Sequence, residues 1–435
     1  MDVQSHFRQS MTCIFFLFAA TALNAQEIQR FPSSLTLSTA VSLALQYHPS
    51  LRTATANVQS SEASLTLARS AYFPVLAVTG TATRTGGAFV FNPQFPPRVQ
   101  YYNNYSSVLS LQQTIYDFGK TSGRVSGAED LLDASAFNYQ SSRMNVVANT
   151  EIAYYAVLEA QRVVAVNLET LAQTEAHLKE AEAYYKVGTR PQFDVTTAQV
   201  NVANANVSLI TARNQLRIAR LQLENSMGVH SNVPYELSDS LAVPVFSMSL
   251  DSVKTIALST RQDILSARAV VQGSQSLVSA ATSLHLPTLS LAGTWNWTGF
   301  DFPLQERWNA GVTLSLPVFQ GFGISAQVDQ AHANLEASRA NLSLTTENAL
   351  LDVEQQYLSL KEASDRIRAT AKLVGQAEEN LKIAEGRYNF GVGSAIEITD
   401  AQVTLASARL NNIQALFDYN SSLIRLKRAM GVLER

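Results

Sequence analysis

The chain carries the same sequence plan twice, and this duplication constrains its fold more than any other feature. Residues Leu37–Thr81 align without gaps on Leu250–Thr294 at a constant offset of 213, which pairs Ala44 with Ala257, Gln59 with Gln272, Pro74 with Pro287 and Gly80 with Gly293. A second gap-free block, Leu111–Val229 on Leu314–Val432, runs at an offset of 203 and pairs Tyr154 with Tyr357, Tyr185 with Tyr388, and Gly188 with Gly391. The offsets differ by ten, so the first copy holds ten extra residues between Thr81 and Leu111. A unit repeated in this order is one supersecondary plan built twice, with each copy a natural neighbour for the other.

Each copy orders its parts alike. A short helix, about 37–47 in the first copy, precedes His48-Pro49, and a longer one, about 50–71, stops before Pro74. Two extended segments follow, then a helix of roughly 60 residues, a glycine-containing turn and a second helix. The spacing predicts long helical hairpins over 124–226 and 325–428, whose first arms (124–186 and 325–389) contain no proline. At 1.5 Å per residue, about 60 residues reach about 90 Å, which fits a coiled coil or a tube rather than a globule. The copies occupy 26–228 and 250–435, and the segment 229–249, with Pro234 and Pro244, reads as a linker.

The extended segments, expected at 75–84, 101–114, 288–298 and 307–316, alternate with period two. Leu289, Leu291, Trp295 and Trp297 share one face, against Thr288, Ser290, Thr294, Asn296 and Thr298. Trp308, Ala310, Val312 and Leu314 oppose Asn309, Gly311, Thr313 and Ser315, and Tyr105, Leu109 and Leu111 oppose Asn104, Ser106 and Ser110. Such strands fit a transmembrane barrel wall, or one face of a soluble sandwich. Two strand pairs cannot close a sheet alone. In lipid every backbone group must be paired, so a barrel requires several chains, and four strands from each of three give an even twelve. The loops 85–100 and 299–306 then lie at the cell surface, with Pro93, Pro96 and Pro97 folding the first over the mouth.

Composition narrows the function. Charged residues make up 15% of the chain, against about 25% in a typical soluble domain. A net charge of −3 gives no electrostatic case for nucleic acid. The N-terminus reads as a signal peptide over 1–25, with Arg8 before an apolar run from Met11 to Leu23 and Ala25 near the cut. The single cysteine, Cys13, lies inside that run, so no disulfide or thiolate site is expected after it. His48, His177, His230, His285 and His332 show no metal-ligand spacing. No phosphate loop, nucleophile elbow or paired catalytic carboxylates stand out, so neither an enzyme nor a cofactor is expected.

These features resemble the TolC-like outer-membrane efflux protein family over nearly all of the mature chain. The signatures are Ala44-Leu45 with His48-Pro49-Ser50-Leu51, Tyr116-Asp117-Phe118-Gly119 with its counterpart Leu316-Pro317-Val318-Phe319, and the turns Tyr185-Lys186-Val187-Gly188-Thr189 and Tyr388-Asn389-Phe390-Gly391-Val392. The resemblance implies a mixed α/β membrane protein. In it, two duplicated helical hairpins form a periplasmic tunnel, and two β-hairpins per chain enter a shared twelve-stranded barrel of a homotrimer. It implies a passive exit duct in the outer membrane of a Gram-negative bacterium, served by a periplasmic adaptor and an inner-membrane pump. The alternative from the residues alone is a coiled-coil scaffold without channel activity.

The resemblance also assigns roles. The turns Val187, Gly188, Thr189 and Phe390, Gly391, Val392 become periplasmic tips that contact the adaptor. Glu397, Asp400 and Asp194, at the starts of the returning helices, become an acidic constriction. Tyr388 is placed to bond a tip carboxylate such as Asp194. From the residues themselves, these carboxylates equally suit a helix N-terminus. Tyr101, Tyr105, Trp295, Trp297 and Trp308 fit an interfacial girdle facing outer-membrane lipid, or core aromatics. One departure stands out: the second copy has Gly393 where the first has Arg190.

Overall fold

The computed structural model describes residues 34–89, 98–229, 235–239 and 241–433. The expected signal peptide at 1–25, Pro93, Pro96 and Pro97 of the expected surface lid, and His230 lie outside the described residues.

The first copy opens with α1 (Leu37–Tyr47), capped by the Thr36 hydroxyl, which accepts from the Thr39 amide at 3.2 Å, and α2 (Pro49–Arg69). His48 stands between them in extended conformation, as a residue before proline must. The second copy repeats the pair as α5 (Leu250–Thr260) and α6 (Gln262–Thr282). The long helices α3 (Lys120–Lys186) and α7 (Gly323–Asn389) each have 67 residues, or about 100 Å. They begin a few residues earlier than expected and return as α4 (Gln192–Met227) and α8 (Ala395–Ala429).

Heptad spacing explains why these helices pair. On α7, Ala377, Leu381, Ala384 and Tyr388 recur at intervals of four, three and four, all buried. They meet Ile398, Ala401, Leu405 and Ala408 of α8, again at three and four. This is the 3.5-residue repeat that keeps one seam facing its partner, and alanine lets the axes approach closely. Higher up, Tyr154, Val157, Leu223 and Met227 bind α3 to α4 together with Ala40 and Ala44 of α1. The linker is tied to this level by a short parallel pair, β1 (Ser34–Leu35) with β4 (Glu236–Leu237). There the Tyr154 hydroxyl donates to the Leu35 carbonyl at 2.9 Å and lies 2.7 Å from an Asp239 oxygen.

At the other end stands a four-stranded antiparallel sheet of β2 (Val75–Phe89), β3 (Arg98–Tyr116), β5 (Thr288–Gly299) and β6 (Gln305–Ser315) in the order β2-β3-β5-β6. The first hairpin is longer than expected. Its strands continue through 85–89 and 98–100, residues read from sequence as loop, because pairing runs out to Phe89 opposite Arg98. The two hairpins have the same register: the first pairs Val75 with Gln112, and the same pair shifted by the two repeat offsets is Thr288 with Ser315, which is the pair observed. Directly paired residues share a face, so the register sorts the sheet. Leu76, Leu109, Leu111, Leu291, Trp295 and Trp308 line one apolar side. Thr81, Ser110, Thr294 and Asn309 fall on the other. β2 and β6 are the edges, and every residue of β6 is exposed. Among the described residues no helix is long and apolar enough to cross a membrane.

Candidate functional site

The two helical turns farthest from the sheet carry most of the residues singled out in the sequence. Both long helices end on a glycine in left-handed conformation, Gly188 at φ 76° and Gly391 at φ 74°. In each turn two backbone bonds close the helix end: Gly188 N to Tyr185 O and Thr189 N to Tyr184 O, both 3.0 Å, and likewise Gly391 N to Tyr388 O and Val392 N to Arg387 O. This is the αL cap that a residue without a Cβ adopts at least cost. Open space surrounds both glycines, and Val187, Phe390 and Val392 are largely exposed beside them.

Beyond this shared backbone the two tips diverge. In the second, Ser394 and Glu397 form a capping box: the Ser394 hydroxyl accepts from the Glu397 amide at 3.3 Å, and a Glu397 oxygen accepts from the Ser394 amide at 3.4 Å. Arg387 also donates to Glu397 at 3.1 Å and to the Val392 carbonyl at 3.3 Å. The Arg387 hydrogen bond, against desolvation and aided by the Ser394 bonds and the Arg387 charge, holds the Glu397 carboxyl below the usual range. Asp400, one turn further along α8, is exposed. In the first tip Pro191 takes the cap position and makes no side-chain bond.

Asp194 does not share the setting of Glu397, its counterpart. It is buried at 8% exposure, near enough to His177 and Tyr388 for its charge to act on both. Tyr388 is 2% exposed. Its ring meets His177 edge-on at 5.3 Å and Tyr184 at 6.0 Å. The hydroxyl has no hydrogen-bond partner within the chain, so the bond to Asp194 expected from sequence is not made there. Burial first, then the Asp194 charge, pushes the Tyr388 hydroxyl above its ordinary pKa. Burial lowers that of His177, against the opposing pull of Glu180 and Asp194. The three carboxylates read as one acidic constriction thus divide, with Asp194 enclosed beside Tyr388 and Glu397 and Asp400 outside.

Arg190 links the two tips. Its guanidinium lies 4.5 Å from the Tyr388 ring centroid and donates to the carbonyls of Tyr388 at 3.3 Å and Gly393 at 3.4 Å. Gly393, its counterpart, is buried, and a Cβ there would stand 2.9 Å from the Tyr388 nitrogen and 3.0 Å from the Arg387 carbonyl carbon. The departure noted in the sequence is therefore the contact itself: the first tip supplies the arginine and the second supplies the carbonyls, the ring and the room. Sequence reading passed over His177, Tyr184 and Arg387. The histidines show no metal spacing, nothing local marks His177 or Tyr184, whose partner Tyr388 lies on the other hairpin, and Arg387 meets Glu397 only once the turn between them closes.

On the sheet, Trp295 stacks beside Trp297 with centroids 6.0 Å apart and stands directly opposite Trp308 in the neighbouring strand. Tyr105 contacts Phe302 at 5.2 Å, and Arg84 lies 5.6 Å from the Tyr101 ring centroid. Tyr101, Trp295 and Trp308 are exposed, so these aromatics are not a core within the chain. Among the described residues no group of three His, Cys, Asp or Glu is placed to hold a metal ion.

Known proteins share this architecture. The sequence is 25% identical to the outer membrane protein TolC of Escherichia coli K12 over 415 residues, covering 89% of this chain and 80% of that one. It is 21% identical to nodulation protein T of Rhizobium leguminosarum bv. trifolii over 385 residues, covering 86% and 80%. The fold matches the crystal structure of the Campylobacter jejuni CmeC outer membrane channel with a TM-score of 0.81 at 20% identity, over 92% of this chain and 87% of that one. Residues 40–229 and 255–432 each match the outer membrane efflux protein family, so both copies, and with them most of the sequence, carry its pattern. The chain belongs to the outer membrane efflux protein family.

Proposed function

We propose that the chain is one protomer of a trimeric exit duct. It carries substrates passively across the outer membrane of a Gram-negative cell from an inner-membrane pump and a periplasmic adaptor, as part of a tripartite efflux or type I secretion system. The observation that carries this is the sheet. It has an apolar aromatic face, a small-polar face and two unpaired edges, β2 and β6. Unpaired backbone groups cost several kcal/mol each in lipid, so such a sheet enters a membrane only as part of a closed wall. Three copies give twelve strands, the apolar face with Tyr101, Tyr105, Trp295, Trp297 and Trp308 turned to lipid and the polar face to a water-filled lumen. The helices of about 100 Å then continue the lumen through the periplasm. In this reading the tips, residues 187–189 and 390–392, receive the adaptor. Glu397 and Asp400 bring negative charge to the mouth, with Asp194 and Tyr388 behind them. No chemical step is involved.

Recovery in the outer-membrane fraction, and migration on gels that changes on heating, are the first checks. A cysteine at Asp301, in the turn between β5 and β6, should react with an impermeant reagent on intact cells. Labelling only after the outer membrane is opened would reverse the topology and sink the barrel.

A further inference from the structure

We propose that Arg425 forms an anion seat on the inner wall of the duct, so that three chains set a positive ring at the level of the linker and favour substrates bearing carboxylate, sulfate or phosphate groups. This rests on the trimeric duct reading and adds to it the chemical class of cargo held on the way.

The seat is a cavity of about 430 Å³ where α3, α4 and α8 converge, within the roughly 300–1,000 Å³ of a small-molecule site. Its polar lining is Asn149 of α3, Gln222 of α4, and Arg425 and Arg428 of α8, and no carboxylate lines it. Guanidinium and amide groups together supply several N–H donors, the groups that an oxyanion accepts from, and bonds to a charged acceptor are the strong ones.

The linker shows which way the cavity faces. The Tyr154 hydroxyl of α3 stands 2.7 Å from an oxygen of Asp239 in the linker, and Tyr419 of α8 donates to the Pro244 carbonyl. The cavity residues Ala156 and Phe417 each stand two positions from those tyrosines, and two positions along a helix lie about 160° apart. The cavity therefore opens on the side of the helix layer away from the linker. A wall that encloses a channel carries its extra layer outside, so this side is the lumen.

The charge at this level is positive. Among the described residues Arg425 has no carboxylate partner. Arg428 lies 3.9 Å from Asp352, whose carboxylate Arg261 already holds at 3.0 Å. The acidic level is lower: Asp418, seven residues nearer the tips and about 10 Å along α8, shares Arg366 with Glu362. Burial first, then the Asp418 charge, pushes the Glu159 carboxyl up to about 7, so it carries only part of a charge at neutral pH. A separation of about 10 Å is one Debye length at 0.1 M salt, which largely screens that level from Arg425. At the offset of 203 the first copy holds Gln222 and Asn225 where the second holds Arg425 and Arg428. Divergence of the copies, not their shared plan, put the charge there, once per protomer. A ring of arginines in a lumen gathers anions.

Single-channel recordings on purified trimers test this with citrate as the probe. Citrate added on the barrel side should block chloride current in the parent. Arg425→Gln, which installs the amide of the first copy, should need about tenfold more citrate and shift the reversal potential in a KCl gradient toward cations. Arg425→Lys keeps the charge and should keep most of the block. Equal block in the parent and in Arg425→Gln trimers of native mass, or no block in a parent that conducts, overturns the seat and leaves the duct standing. A parent trimer that never conducts overturns the duct reading instead. Equilibrium dialysis of citrate against the detergent-solubilised protein then still reads the seat, and binding that Arg425→Gln leaves unchanged overturns it.

Discussion

The two hairpin tips share a backbone and differ in nearly every contact. Both turn on a left-handed glycine with the same pair of capping bonds. The second tip is tied within itself, through Ser394, Glu397 and Arg387. The first has proline at its cap and encloses its carboxylate, Asp194. Its Arg190 reaches outward to the other tip. Duplication thus supplied the turn twice, and divergence converted one copy into a self-capped end and the other into a clasp that grips it. An arginine and a glycine at equivalent positions do complementary work, which two identical tips could not.

The largest effect should come from Gly393→Leu. The added Cβ meets backbone rather than a movable side chain, and overpacking of this kind costs about 1–3 kcal/mol. Proteolysis and amide exchange at residues 388–395 should accelerate. Arg190→Leu should not do this through collision, and equal steric damage from both would break the comparison. Arg190→Ala comes next: loss of a ring contact and two carbonyl bonds should cost about 1–2 kcal/mol of cross-tip coupling. It should appear as faster exchange around Tyr388, with Arg190→Lys recovering little because a planar donor is lost. Gly188→Leu and Gly391→Leu should each cost about 1–2 kcal/mol from backbone strain. If the tips receive the adaptor, export should fall in both while the protein still reaches the outer membrane.

Smaller effects sharpen the contrast. Glu397 has a lowered folded-state pKa, so its contribution is present above the unfolded carboxyl value of about 4.3 and is lost as pH falls through the folded value. Glu397→Gln keeps the capping geometry but should remove that acid-side decline in second-tip protection; an unchanged profile would dismiss the Arg387 pair. The smallest effect belongs to Tyr388→Phe. A buried hydroxyl without a partner in the chain contributes little, so stability and bilayer conductance should stay close to the parent. A marked rise in conductance would instead point to a partner supplied by a neighbouring chain.

The sequence by itself determined the local and repeated features. Two offsets located the copies, absence of proline over some 60 residues marked the long helices, alternation sorted the strands into two faces, and glycine marked both turns. Each depends on residues near one another in the chain, or on comparison of one copy with the other. The length of the first hairpin escaped because Thr85, Gly86 and Gly87 read as loop, yet pair with Tyr102, Tyr101 and Gln100; cross-strand pairing overrides weak strand propensity. The tertiary structure alone decided that Asp194 and Glu397, equivalent by sequence, lie one inside and one outside. A helix position one residue away turns about 100°. The heptad phase that buries Ile398 of α8 therefore leaves Glu397 in solvent, while on α4 the buried position falls on Asp194 itself. It decided equally that Arg190 would rest on Tyr388, 198 residues away, because no local pattern specifies which faces two separate hairpins bring together.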